Sequence, residues 1–215
     1  HFNATWMLES QIGINEDYEP SPGNLTTPGK GSVYLVEIKE SNDNDATLTL
    51  VHRYIPCTRN SDNVVGVYDM INQVFCKGYG DAMTASTDTV TNPEPNFPAE
   101  YTQAEFITAG TTSFLPLNYI HNKHTTIEWT GMIPSATSVT WRPLYGSCRW
   151  GSLDHSLIFY CYGDTNTHFG YIRNHAGEAG VSGIYDKMIK ATTAGLVTTV
   201  LDIDAGTSIA VTCNQ

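Results

Sequence analysis

Apolar and polar residues alternate in short runs along most of the chain. Residues 33–38 and 46–55 are rich in β-branched side chains and repeat with a period of two, the spacing of a strand with one buried face. Ser41, Asn42, Asp43, Asn44 and Asp45 separate these runs and predict a hairpin turn. Further strand runs cover 64–68, 73–77, 105–109, 113–120, 125–130, 138–141, 157–162 and 169–173, while 184–190 fits either a short helix or a strand. The last two runs, 196–203 and 207–213, flank Asp204-Ala205-Gly206, the sharpest hairpin signal in the chain. No long stretch repeats every 3.6 residues. The pattern predicts an all-β protein: an antiparallel β-sandwich, built as one large sandwich or as two pseudo-repeated halves.

The halves are suggested by an internal likeness. Residues 142–164 carry Tyr145-x-x-Cys148 and then Ile158-Phe159-Tyr160-Cys161-Tyr162-Gly163-Asp164. Residues 53–81 carry Tyr54-x-x-Cys57 and then Val74-Phe75-Cys76-Lys77-Gly78-Tyr79-Gly80-Asp81. Each copy reads as two aromatic-rich runs with one cysteine apiece, and so as a hairpin closed by a local disulfide, Cys57–Cys76 and Cys148–Cys161. Each staple would contribute about 3 kcal/mol in the chain-entropy model. Cys213 is then the odd thiol, either buried and free or the source of an intermolecular crosslink. The Thr/Pro-rich stretch 84–98, with Pro93, Pro95 and Pro98, divides a first β half at 33–98 from a second at 99–215, although one continuous domain also fits.

Ahead of both lies residues 1–32, an arm and its tether. The arm carries Phe2, Trp6, Leu8, Ile12 and Ile14, and the tether carries Pro20, Pro22, Gly23, Pro28, Gly29 and Gly31, which neither a helix nor a central strand tolerates. Such an arm either folds back as an edge strand of its own sheet or adds to a neighbouring copy by strand exchange.

Composition narrows the setting. Charged residues make up only 15% of the chain and the formal net charge is −11 with 11 Lys and Arg, which excludes phosphate-backbone binding and hence nucleic-acid partners. No apolar run reaches the ~20 residues of a membrane-spanning helix. Two N-glycosylation sequons, at Asn3 and Asn24, together with the paired cysteines, predict a secreted, extracellular glycoprotein.

Candidate chemistry is scattered. His121 and His124 stand three apart, with His168 and His175 beyond them, but no third ligand at zinc spacing accompanies them. Asp154-His155-Ser156 places three catalytic residue types side by side, yet neighbouring strand side chains point to opposite faces. Glu100, Glu105 and Glu128 are carboxylates of the type a glycosidase pairs. Trp129, Trp141 and Trp150, with Tyr145 and Tyr162, can fill a core or form a flat platform for sugar rings. His1 at an amino terminus, with one of His52, His121, His124 or His168, resembles the T-shaped copper site of lytic polysaccharide monooxygenases. That resemblance implies a copper-dependent secreted oxygenase and extends no further along the chain.

These observations predict a structural protein without a cofactor, whose partners are copies of itself and which assembles into an extracellular oligomer or filament by N-terminal strand donation. A carbohydrate-binding module is the alternative, and a copper oxygenase using His1 the third.

Overall fold

The computed structural model describes residues 8–9, 32–42, 45–79, 83–108, 115–117, 119, 125–133, 141–147, 156–163, 167–174, 189–191, 195–204 and 208–214, with side chains over 32–41, 47–79, 83–108, 115–117, 119 and 125–131. Among the described residues every regular element is a strand. In chain order these are β1 (Leu8–Glu9), β2 (Ser32–Asn42), β3 (Asp45–Arg59), β4 (Val64–Asp69), β5 (Val74–Lys77), β6 (Thr84–Ala85), β7 (Tyr101–Gln103) and β8 (Ile107–Thr108). They continue with β9 (Thr125–Ile133), β10 (Trp141–Ser147), β11 (Ser156–Gly163), β12 (Thr167–Asn174), β13 (Ile189–Ala191), β14 (Gly195–Asp204) and β15 (Ser208–Asn214). No helix among the described residues is long and apolar enough to cross a membrane.

A ten-stranded sheet runs β15-β14-β9-β2-β3-β4-β5, with β7 paired to β3, β8 paired to β2, and β6 paired to β8. A five-stranded sheet runs β1-β10-β11-β12-β13. All the pairings are antiparallel except β1 with β10, where Leu8 faces Tyr145 and Glu9 faces Gly146 in parallel. The strands of the two expected hairpins pair: Asn42 with Asp45, and Asp204 with Ser208. β9, from the expected second half, lies directly against β2 of the first, so one sheet draws strands from both.

The register assigns each side chain of β2 to β5 and β9 to a face. Val36, Ile38, Tyr54, Val67, Asp69, Cys76, Ile127 and Trp129 share one face, and all are buried, Trp129 to within 1%. Leu115, Leu117 and Tyr119 are buried as well, and the carbonyl of Leu117 reaches this face by accepting the Tyr54 hydroxyl at 2.9 Å. Gly131 is required here. A Cβ at this position would lie 2.2 Å from Cζ2 of Trp129, whose indole covers the glycine.

The opposite face carries Glu37, Arg53, Ile55, Cys57, Tyr68 and Phe75. The segment 94–101 packs across it: Phe97 meets the Tyr68 ring edge-on at 5.7 Å, and Tyr101 stacks on Phe75 at 5.1 Å. Phe75 lies against Gly66, where a Cβ would stand 2.8 Å from the ring and 2.3 Å from the Cys76 carbonyl oxygen.

The expected Cys57–Cys76 staple is not formed, and both residues are buried free thiols. The repeat suggested a two-stranded hairpin, but the segment between these cysteines is long enough to supply β4 as a third strand. Cys57 on β3 and Cys76 on β5 therefore flank β4, two strand spacings or ~9.5 Å apart, beyond the ~6.8 Å Cα limit of a disulfide. They also point to opposite faces, since Cys57 registers with Gly66 whereas Cys76 registers with Val67. In the second copy β10 and β11 pair directly, so the two copies are not structural equivalents. Cys148 lies outside the described residues; Cys161 falls on β11 and Cys213 on β15.

Candidate functional site

The densest polar constellation among the described side chains lies on the buried face, where β3 meets the turn between β4 and β5. Alternation along β3 puts His52 and Tyr54 on the same side, and the β3–β4 register brings Asp69 opposite Tyr54. His52 Nδ1 stands 2.6 Å from Asp69 Oδ2 and 3.0 Å from the Tyr54 hydroxyl. The Tyr54 ring lies parallel to the imidazole at 5.3 Å, and the Tyr119 ring meets it edge-on at 5.0 Å. The Asp69 side chain is 3% exposed and that of His52 18%. Asp69 Oδ1 accepts the backbone N–H groups of Arg53 at 3.2 Å, Ile71 at 3.0 Å and Asn72 at 3.4 Å.

Hydrogen counting fixes the tautomer. Asn72 has two amide hydrogens, and its Nδ2 reaches the Val51 carbonyl at 2.9 Å and Asp69 Oδ2 at 2.8 Å. Tyr54 spends its single hydrogen on Leu117. The proton between His52 and Asp69 therefore sits on Nδ1. Burial alone would push the Asp69 carboxyl up. Hydrogen bonds from His52, Asn72 and the backbone at Arg53 and Ile71 overcome it and hold the group below its ordinary value of 3.8.

A carboxylate that orients an imidazole is two-thirds of a nucleophilic triad. Among the described residues no hydroxyl or thiol hydrogen-bonds to Nε2. Thr125 Oγ1 contacts the Tyr119 hydroxyl at 2.8 Å, and that hydroxyl donates to Glu40 at 2.7 Å. Cys76 shares this face, but burial pushes its thiol up to about 12, with Asp69 adding to the effect; burial and the neighbouring Cys76 do the same to Cys57. No group of three or more His, Cys, Asp or Glu able to hold a metal occurs among the described residues. What this arrangement does within the described residues is clamp the β4–β5 turn onto β3.

The other face carries an ion ladder. Lys39 Nζ lies 3.1 Å from both Glu37 and Glu128, which are cross-strand neighbours on β2 and β9. Arg53 bridges Glu37 and Glu94, tying the 83–100 segment to the sheet. Of the three candidate glycosidase carboxylates, Glu128 thus belongs to this ladder. Glu105 accepts from the amide and hydroxyl of Thr91 at 2.7 and 3.0 Å, and Glu100 is exposed. The structure does not bring the three together.

Trp129, one of the candidate sugar-platform residues, is buried at 1% exposure. Trp141 falls on β10 and Trp150 outside the described residues. Also outside them lie His1, Phe2, Asn3, Trp6, Ile12, Ile14, Asn24, His121, His124, Asp154, His155 and His175. Leu8 is in β1, Ser156 opens β11, and His168 is on β12. The residue that sequence reading missed is Asp69. Its signal was present in Asp69-Met70-Ile71-Asn72 between two strand runs, an aspartate at a turn start that bonds the backbone two residues on. No family model, no curated protein and no solved structure matches this chain.

Proposed function

We propose that this chain is a secreted structural protein that links copies of itself by adding its N-terminal arm as a strand to the next copy. In this copy the arm lies back on the edge of its own sheet in the parallel β1–β10 pairing, and the reading rests on that edge accepting the same strand from a neighbour. Among the described residues, Leu8 and Glu9 of the arm occupy a sheet edge. β10 itself limits this contact at its first residue. Pro143 has no N–H to offer, and the β10–β11 register shifts between Pro143 and Tyr145, so a partner strand finds regular edge only beyond that irregularity.

A contact at a sheet edge can be exchanged, and an element that fits an edge in its own chain fits the same edge in another. The arm's composition supports exchange. Phe2, Trp6, Leu8, Ile12 and Ile14 are all even-numbered, so an extended arm presents them on one face. Fully extended, the chain from Ser10 to Gly31 reaches roughly 70 Å, enough to bridge neighbouring copies. In this reading the two sheets are layers of a sandwich, Asn3 and Asn24 carry N-glycans, and head-to-tail donation propagates a filament or closes a ring.

Deletion of residues 1–14 tests it. The full chain should elongate in negative-stain micrographs, and the truncated chain should sediment as a single copy. A truncated chain that elongates like the full one, or a full chain that stays a single copy at every concentration, overturns the reading.

A further inference from the structure

The Thr/Pro-rich stretch 84–98 carries five hydroxyl side chains, Thr84, Ser86, Thr87, Thr89 and Thr91. Two of them hold the segment in place. Ser86 Oγ accepts the backbone N–H groups of Glu105 and Phe106 at 3.1 and 3.3 Å, and the Ser86 N–H donates to the Phe106 carbonyl at 2.9 Å. Thr91 donates its hydroxyl to one Glu105 carboxylate oxygen at 3.0 Å and its N–H to the other at 2.7 Å. The loop is therefore pinned at both ends, with Thr87 and Thr89 between the pins. Both are exposed, and among the described residues neither hydroxyl has a hydrogen-bond partner. The main chain from Thr87 to Val90 joins no strand, whereas Thr84, also exposed, is held in β6 against Thr108.

We propose that Thr87 and Thr89 are O-glycosylation sites and that Ser86 and Thr91, in the same stretch, are not. The proposal rests on the secreted reading above, in which the chain passes glycosyltransferases. Runs of Ser and Thr with Pro are the composition of O-glycosylated segments, and the hydrogen bonds select positions within this one. In the transfer, threonine Oγ1 bonds to the anomeric carbon of a nucleoside-diphosphate sugar, the bond from that carbon to the phosphate oxygen breaks, and the nucleoside diphosphate leaves with the electron pair and the hydroxyl proton. At Thr91 that proton is committed to Glu105, and a sugar there would take it from the carboxylate. At Ser86 a sugar would crowd the two N–H groups that the oxygen accepts. Thr87 and Thr89 give up only water. A neutral sugar also suits the site better than a phosphate, which would set about two negative charges beside Asp88.

The folded full chain, incubated with a polypeptide N-acetylgalactosaminyltransferase and its uridine-diphosphate sugar and then mapped by electron-transfer fragmentation, tests acceptor choice residue by residue. Thr87 and Thr89 should be modified at least about tenfold faster than Ser86 and Thr91. Glu105→Ala frees the Thr91 hydroxyl and should raise transfer to it at least about tenfold, while Glu105→Gln, which still accepts a hydrogen bond, should raise it less. Equal transfer to all four positions, no transfer to Thr87 and Thr89, or transfer to Thr91 unchanged by Glu105→Ala overturns the proposal. The same fragmentation of the natural protein separates this proposal from the reading it rests on. Sugar at Asn24 together with Thr87 and Thr89 supports both. Sugar at Asn24 with bare or phosphorylated Thr87 and Thr89 overturns this proposal alone, and bare asparagines and threonines alike overturn both.

Discussion

Two turns in this sheet share one backbone path and differ in what surrounds them. Residues 60–63 connect β3 to β4 and residues 70–73 connect β4 to β5. In each, the last loop residue donates its N–H to the carbonyl of the last strand residue: Asn63 to Arg59 at 2.9 Å, Gln73 to Asp69 at 2.8 Å. In each, that loop residue is left-handed, with φ of 56° at Asn63 and 58° at Gln73. Each turn also has an aspartate. Asp62 is exposed and paired with Arg59, whereas Asp69, at the start of its turn, is buried and holds five hydrogen bonds from the β3 backbone, the His52 imidazole and the turn itself. The comparison teaches that turn geometry is set locally, while the energetic importance of a turn depends on whether its polar groups have water as an alternative partner.

The largest effect expected from breaking this contrast is at Asp69. Asp69→Ala strips an acceptor from His52 Nδ1, Asn72 Nδ2 and the N–H groups of Arg53, Ile71 and Asn72, five part-buried contacts at one carboxylate. A loss of about 3 kcal/mol is expected in urea denaturation. A loss below about 1 kcal/mol would show that the clamp is not holding the turn to β3.

The same carboxylate carries a pH signature. Its folded pKa lies below the ordinary 3.8, so the unfolded chain takes up a proton first as pH falls. The stabilisation is therefore complete above about pH 4 and drains away as pH drops through the lower folded value. The stability difference between the wild type and Asp69→Ala should stay constant from neutral pH to about 4 and shrink below it. A difference that grows on acidification would mean the folded pKa is raised.

How much of this was legible beforehand follows from the range of the interactions. Alternation is local, so the all-β class and the hairpins at Asn42-Asp45 and Asp204-Ser208 could be read directly. The Cys57–Cys76 pairing could not, because it depended on whether the intervening residues formed a strand. Val64-Val65-Gly66-Val67-Tyr68 was recognised as one, but its insertion between the two cysteine strands is a question of sheet order, which sequence spacing does not encode. Trp129 is equally ambiguous in sequence, and only the β2–β9 register turns it inward. His52 drew notice as a copper ligand, yet its partner Asp69 lies 17 residues on and is reached only through the β3–β4 pairing.

Gln73 offers a smaller test that sharpens the match between the turns. Asparagine tolerates the left-handed region because its short amide bonds locally, but glutamine gains no such relief. Gln73→Gly should therefore raise stability by about 0.5 kcal/mol, the relief of strain less the extra freedom of the unfolded glycine. Asn63→Gly should leave the urea midpoint unchanged. Equal gains at both positions would mean that asparagine and glutamine bear the same strain.

The smallest effect is expected at Asp62, although its hydrogen bonds look as strong as those of Asp69. Arg59 donates to it at 2.9 and 2.6 Å, and this contact from the guanidinium lowers the Asp62 carboxyl pKa. Both side chains remain open to water, at 35% and 43% exposure, so each charge loses little when the other is removed. Arg59 also keeps a second anchor, since its guanidinium lies 5.0 Å above the Phe75 ring, and that contact does not involve Asp62. Asp62→Ala should accordingly leave the denaturation midpoint where it was, at low salt and at high salt alike. A clear loss at low salt that disappears at high salt would show that the exposed pair organises its turn as the buried one does, and the distinction between the two turns would then be one of degree.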